Sequence, residues 1–503
     1  MRRIPVTTAT QHPDNAGAPY WERDGDGFVS VQEEVTECVS AFRDLGVDEF
    51  MWDWEGKDAD EAVVDKLLTR TYNLFRRRRL GRDIFLTFRI PNVWEEKGYS
   101  LLRAMMAIVT AEDLARDLRL AARPVIEVIL PMTRTADQLV YIQHAYRDLV
   151  SFKRRTFTHR EHHNIPYLGV IPLVEGVLDQ LRIPELLREY IRRHVRLFKQ
   201  PPPYLRVFLA RSDPALVSGL VASVLATRVA LADLAKFSRE HHIPVYPMIG
   251  VGSLPFRGGL TPFTVPQFAT QYAGVHTVTI QSAFRYDFPL PRVRAALQEL
   301  VRLLPKTKAM PIASADRPHL DRIVDKASRA YVSSLAPLLP LLAPAFAAVP
   351  SRRERRLHVG LLSYSRQLGK KALPRAITFA AACYSLGLPP EFIGLGRALQ
   401  SFSPAELVTL ERYYGNLHRD ISCAARFYCR ESVSMLARRC APLKRLVREI
   451  EYAARLLNIT LGPRTVVEQE HAILARRVAA SLKHPHQLSR LIAQGGVLRH
   501  SLG

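Results

Sequence analysis

Two carboxylates, one histidine and a few arginines stand out because each sits where a short apolar run breaks off. Glu175 ends the run Gly-Val-Ile-Pro-Leu-Val (169–174), and Asp213 follows Val-Phe-Leu-Ala-Arg-Ser (207–212). Adjacent parallel strands lie about 4.8 Å apart, so carboxylates at two such edges can share one cation. Oxygen donors with no Cys or His cluster beside them favour Mg²⁺ or Mn²⁺ over zinc. The alternative gives both residues to helix capping, Glu175 for the next helix and Asp213 for its own, with Pro214 at the first helical position.

The stretch Gly250-Val251-Gly252-Ser253-Leu254-Pro255-Phe256-Arg257-Gly258-Gly259 sets an arginine among glycines. Glycines such as Gly258 and Gly259 let backbone approach an anion closely, and Arg257 between them can clamp a phosphate with two N–H groups. A turn that merely needs glycine is the simpler reading. Arg285 follows the next apolar run and can point into the same space. Arg89 interrupts Phe85, Leu86, Phe88 and Ile90; a buried arginine must be paired, either in a structural ion pair or by an anion. Asp53, Glu55 and Lys57 lie at a neighbouring edge, and the two carboxylates can supply that pair. His12, in Gln11-His12-Pro13-Asp14-Asn15, is a candidate acid–base group or an ordinary surface histidine.

These residues span nearly three hundred positions, and one architecture gathers them. Eight apolar runs recur about every 40 residues through the first 285 positions, with polar edges at 8–15, 50–57, 86–92, 127–133, 169–176, 207–214, 247–259 and 278–287. Helical periodicity lies between them, over 31–45, 61–75, 99–118, 135–150, 177–198 and 214–238. The seventh crossover, 262–272, is short. Runs such as 124–130 and 204–209 are continuously apolar, as parallel strands covered on both faces must be. The pattern predicts an α/β protein, a (β/α)8 TIM-type barrel over 1–290 whose strand-end loops converge on one site. From 291 to 503 only helical periodicity remains, punctuated by Pro and Gly, with long helices at 404–414 and 432–457. This C-terminal all-helical region is expected to pack on the barrel, since no low-complexity linker separates the two.

Nearly half of the 503 residues are apolar, enough for a large core. No apolar stretch is long enough to cross a bilayer, and 330–350, with four prolines, reads as packed helices and turns. Met1-Arg2-Arg3 leads into the first strand without a hydrophobic signal region, and the five scattered cysteines form no CxxC pair, so a reduced, cytoplasmic protein is expected. The net charge of +23 and the basic runs 76–79, 153–155 and 352–356 would suit a nucleic-acid binder. Those runs fall at helix ends and connections without a binding motif or aromatic platform. They are read as solvated surface that also attracts small anions, with no nucleic-acid or membrane partner.

In order along the chain, TATQHPDN, MWDWEGK, ILPMT, VIPLVEG, FLARSDPAL, GSLPFRGG, TIQSAFRYD and PPEFIGLGRAL, with the terminal LRHSLG, resemble the signatures of phosphoenolpyruvate carboxylase, specifically the short archaeal-type family. The resemblance implies that His12 is the catalytic histidine, Glu175 and Asp213 the divalent-metal ligands, and Arg89 and Arg257 arginines facing substrate. It also places Arg366 and Arg375 where longer carboxylases keep two further active-site arginines, and makes Arg285 and Arg397 candidates of uncertain role. The implied reaction is phosphoenolpyruvate plus bicarbonate giving oxaloacetate and phosphate, in a homotetramer with Mg²⁺ or Mn²⁺. In it the Arg257 loop would close as a lid. Where the long enzymes carry a lysine after the metal-binding aspartate, this chain has Pro214-Ala215-Leu216, and a phosphorylatable N-terminal extension like theirs is not expected. Two alternatives remain: another Mg²⁺-dependent barrel lyase or phosphotransferase on phosphoenolpyruvate or a 2-oxo acid, and a nucleic-acid-binding barrel.

Overall fold

The computed structural model of the chain describes residues 2–22, 25–56, 60, 62–96, 98–120, 123–157, 167–354, 367–368 and 371–503. Lys57, Arg366 and the 355–356 end of the last basic run lie outside them.

Each of the eight apolar runs contains a strand: β1 (Thr7–Thr10), β2 (Glu49–Asp53), β3 (Phe85–Arg89), β4 (Val125–Leu130), β5 (Gly169–Val174), β6 (Leu205–Ala210), β7 (Val245–Gly250) and β8 (Thr277–Ile280). They close in chain order into one barrel, β8 pairing with β1, and the pairs are parallel. Side chains alternate as a pleated strand requires. Met51, Ile129, Ile171, Leu173, Phe208 and Met248 form one core cluster, while Phe50, Trp52, Val128, Leu130, Val207 and Leu209 join the core shared with the surrounding helices.

At the N-terminal end the barrel is plugged by charge. Arg206 of β6 donates Nη2 to Glu49 at 2.8 Å and Nη1 to Glu127 at 3.0 Å, and Arg2 reaches Glu127 at 2.9 Å. Thr8 and Thr87 hydroxyls donate to Glu49. Burial pushes the Glu49 carboxyl up, but Arg206 and the hydroxyls outweigh it and hold the group at about 2. With this end filled, the opposite end is left for chemistry.

The crossovers follow the expected helical stretches, and the seventh is a short helix, Val265–Gln271. Helix Leu220–His241 is buried nearly all round because it serves two cores. Ala230, Leu231, Leu234 and Phe237 pack with the barrel, whereas Leu220, Val221, Val224, Leu225 and Val229 pack with the C-terminal helices. The expected helix over 432–457 is two, Arg430–Ala437 and Ala441–Leu456. Pro442 explains the break, since it has no N–H to donate and fits only the first turn of the second helix. The helical region also holds a two-residue antiparallel pair, Gln367–Leu368 with Lys371–Ala372, which periodicity did not suggest. Among the described residues, no single helix is long and apolar enough to cross a membrane.

Candidate active site

The C-terminal ends of the strands open into a cavity of about 300 Å³, roofed by residues 349–353 and by the start of helix Ala376–Ser385. His12, Arg89, Glu175, Asp213, Arg257 and Arg375 all line it. Loops from strands β1, β3, β5, β6 and β7 thus meet the helical region around one space.

Arg89, the last residue of β3, is bidentate to Asp53, with Nε to Oδ1 and Nη2 to Oδ2 both at 2.8 Å, and its Nη1 reaches Glu55 at 2.7 Å. Burial disfavours its charge, but Asp53 and Glu55, with Glu175 further off, more than compensate and raise its pKa. The carboxylates at the β2 edge therefore supply the pair expected for a buried arginine, leaving its remaining face to the cavity.

Glu175 and Asp213 border both this cavity and a smaller one of about 120 Å³ lined by Thr133, Arg134 and Asp179. Helix Val177–Leu181 follows Glu175 with Gly176 as its N-cap, whereas Asp213 lies in the first turn of helix Ser212–Ser218, whose N-cap is Arg211; neither N-cap residue makes a side-chain cap. Neither carboxylate is the N-cap residue of its helix. Among the described residues no third His, Cys, Asp or Glu completes a protein-only cage. A two-carboxylate, all-oxygen donor set suits Mg²⁺, which keeps waters and takes substrate oxygens as its other ligands.

His12 sits just beyond β1, with Nδ1 2.9 Å from the hydroxyl of Thr10. This contact restrains the ring at the edge of the cavity that His12 lines. Arg257 is 1 % exposed and held by Asp14 at 3.0 Å, by Gln281 and by the Gly503 carbonyl oxygen. A Cβ at Gly252 would lie 2.7 Å from the guanidinium carbon of Arg257, so glycine is needed for the arginine to lie flat on that backbone. Gly258, at φ +116°, turns the chain back, and a Cβ there would strike Val251 at 2.5 Å.

A family profile described as phosphoenolpyruvate carboxylase matches residues 4–503. Proteins named phosphoenolpyruvate carboxylase from Leuconostoc mesenteroides and Oenococcus oeni are each 42 % identical, spanning all of this chain and 99 % of their own length. One from Pyrococcus horikoshii is 38 % identical over 84 % of this chain and 88 % of its own. The chain belongs to the phosphoenolpyruvate carboxylase family.

Not every expected residue reaches the carboxylase cavity. Arg285 points the other way: its guanidinium is buried against Glu37 at 2.9 Å and the Thr10 carbonyl at 2.7 Å, behind the β1 edge. Gly258 and Gly259 serve the turn around Arg257 and do not line the cavity, which is the simpler reading of that loop. Arg397 pairs with Glu449 at 2.7 Å within the helical region. Nor is the Arg257 loop an exposed flap, because Phe256 is fully buried in the core of the C-terminal helices.

Other lining residues were not singled out from the sequence. Arg211, Gln281, Arg352 and Arg353 line the cavity. Arg353, expected at the solvated surface, is 2 % exposed and paired with Glu34 at 3.0 Å and with Glu37. Arg352 donates Nη2 to the Ala16 carbonyl at 2.9 Å, and burial lowers its pKa. Arg211 could have been found, as it stands two residues before Asp213 on the same strand edge.

Proposed function

We propose that this chain carboxylates phosphoenolpyruvate with bicarbonate, giving oxaloacetate and phosphate, as a short, archaeal-type member of its family. One observation carries the reading. In a chain that matches the family from residue 4 to 503, His12, Arg89, Glu175, Asp213, Arg257 and Arg375 surround one cavity at the active end of the barrel.

Glu175 and Asp213 are the residues that would hold Mg²⁺ or Mn²⁺, and the cation would supply Lewis-acid stabilisation of the enolate oxygen. Arg257, Arg89 and Arg375 face the phosphoryl group, whose transfer to bicarbonate depends mainly on fixed positive charge. A bicarbonate oxygen bonds to phosphorus as the enol oxygen leaves, giving carboxyphosphate and the enolate of pyruvate. His12 Nε2 takes the carboxyl proton as carboxyphosphate breaks into CO₂ and phosphate, and the enolate carbon bonds to that CO₂. Leu173, Phe208, Val349 and Leu502 give the cavity apolar walls, which limit the water that would protonate the enolate to pyruvate. A homotetramer fits the family but is a proposal only.

The test is oxaloacetate formation, coupled to malate dehydrogenase and NADH, with bicarbonate and divalent metal each withheld in turn. Loss of activity in both omissions is expected. Turnover of phosphoenolpyruvate indifferent to bicarbonate would replace the carboxylase with a lyase or phosphotransferase.

A further inference from the structure

Arg257 is fixed in part from a region that sequence assigns no chemistry, the Pro-Pro-Glu-Phe turn at 389–392. We propose that Glu391 is a positioning residue for Arg257, gripping from the helical region the peptide on which that arginine is carried. The inference rests on Arg257 being the phosphoryl-facing arginine.

The grip closes on both polar atoms of Phe256. Its backbone N–H donates to Glu391 Oε1 at 2.8 Å, and its carbonyl accepts from Arg211 Nη1 at 3.3 Å. Glu391 is 1 % exposed and also accepts from the Tyr384 hydroxyl at 2.6 Å. Arg211 is held in turn by Tyr272 at 2.9 Å and Ser223 at 2.8 Å. The Phe256 ring packs on Phe379 and Tyr331, with centroids 5.7 and 6.5 Å away, so the side chain is keyed into the helical core as well. The loop is thus tied to the helical region through its main chain at Glu391 and through the Phe256 side chain, while Arg211 of the barrel holds the Phe256 carbonyl. The arrangement fixes where Arg257 leaves the backbone, and small displacements of a charged group at a reacting centre cost rate.

Burying a carboxyl is costly, and among the described residues no cation is hydrogen-bonded to this one; burial pushes Glu391 to about 7, the Tyr384 and Phe256 donors offsetting only part of the rise. A glutamate kept at that cost solely to fill space is poorly explained, since leucine would fill it more cheaply. Either protonation state retains an acceptor for the Phe256 N–H, and glutamine retains one too.

The experiment compares kcat and KM for phosphoenolpyruvate in E391L, E391Q, R257K and the E391L/R257K double variant, with thermal stability recorded alongside. The expected result is that E391L lowers kcat/KM by about tenfold or more, E391Q recovers most of that loss, and E391L adds little on top of R257K. If R257K is impaired while folded E391L matches the parent, Glu391 is only structural and the proposal falls alone. If E391L multiplies the R257K defect in full, it acts by another route and the proposal also falls. If R257K itself matches the parent, the Arg257 reading fails and takes this inference with it. Should E391L not fold, Y384F, which strips one hydroxyl from the Glu391 carboxyl, is expected to raise KM by about threefold; no change would overturn the proposal.

Discussion

His12 carries the reaction's proton, so its replacement separates two half-reactions. Its Nδ1 lies 2.9 Å from the Thr10 hydroxyl, and the residue lines the cavity. His12→Asn preserves polarity and size but cannot take a proton. The variant is expected to lose oxaloacetate formation by about a hundredfold or more while keeping part of its bicarbonate-dependent phosphate release. Parallel assays of oxaloacetate, pyruvate and phosphate decide the matter, and undiminished oxaloacetate would remove His12 from catalysis. At this scale the sequence told most where a residue's place on a strand already fixed its direction. Arg89 ends β3, while Glu175 and Asp213 stand just past β5 and β6, and barrel geometry gathers strand ends at the mouth. Arg285 shows the limit. It too follows a strand, but Glu37, far away in sequence, accepts its guanidinium and turns it from the cavity. An arginine side chain is long enough to choose between two fields, and periodicity contains neither.

The elements make the same point about segment 349–354. Its arginines belong to a basic run that reads as a solvated face, yet the backbone bridges to Val29, and Arg353 pairs with Glu34 and Glu37 of helix Glu34–Ser40. This is how the helical region roofs the barrel: a cation from one side is set between carboxylates on the other. Burial would raise the Glu37 carboxyl, but Arg353 and Arg285 together hold it below its ordinary value. Arg353→Met should therefore strand part of that charge and cost about 3 kcal/mol of stability, since removing one partner of a buried pair leaves the other uncompensated. Urea unfolding of parent and variant measures it; an unchanged midpoint would mean the roof is held by its other contacts. Strand order, crossover helices and the helical C-terminal region were all legible, because each is written in local periodicity. Attachment of the roof was not, because it depends on pairs between residues some three hundred positions apart.

Over the whole molecule, buried titratable groups should make the protein more stable when it is mildly acidified from alkaline pH. Burial raises Asp287, Glu96 and Glu391 to about 7 and Asp420 to about 6. In the unfolded chain these carboxyls titrate near 4, so between roughly pH 4 and 7 the folded state holds protons that the unfolded state has lost. Stability must rise as pH falls through about 7. Histidines oppose this in part: burial depresses His194, His276 and His471, so the unfolded state takes up their protons as pH falls toward and through about 6.5. Further down, below about 4.5, protonation of Glu49 and Glu37 removes the native pairing that holds both low. From about pH 8 to 6.5 the three carboxyls near 7 each contribute on the order of 0.5–1 kcal/mol and Asp420 much less, which outweighs an opposing contribution of about 0.4 kcal/mol from each of the three histidines. Moderate salt, about 0.2 M, screens the surface repulsion expected from the net charge of +23. Across that window Tm is expected to rise by one to a few degrees, roughly what such a gain gives a chain of this size. Asp287 offers the control: its oxygens accept from the Ala16 and Gly17 amides beside the His12 loop, and Asn retains an acceptor without the titration. Asp287→Asn should flatten the slope. A Tm that stays level or falls between pH 8 and 6.5, or a slope that survives the substitution, would mean that these carboxyls remain ionised in the folded state.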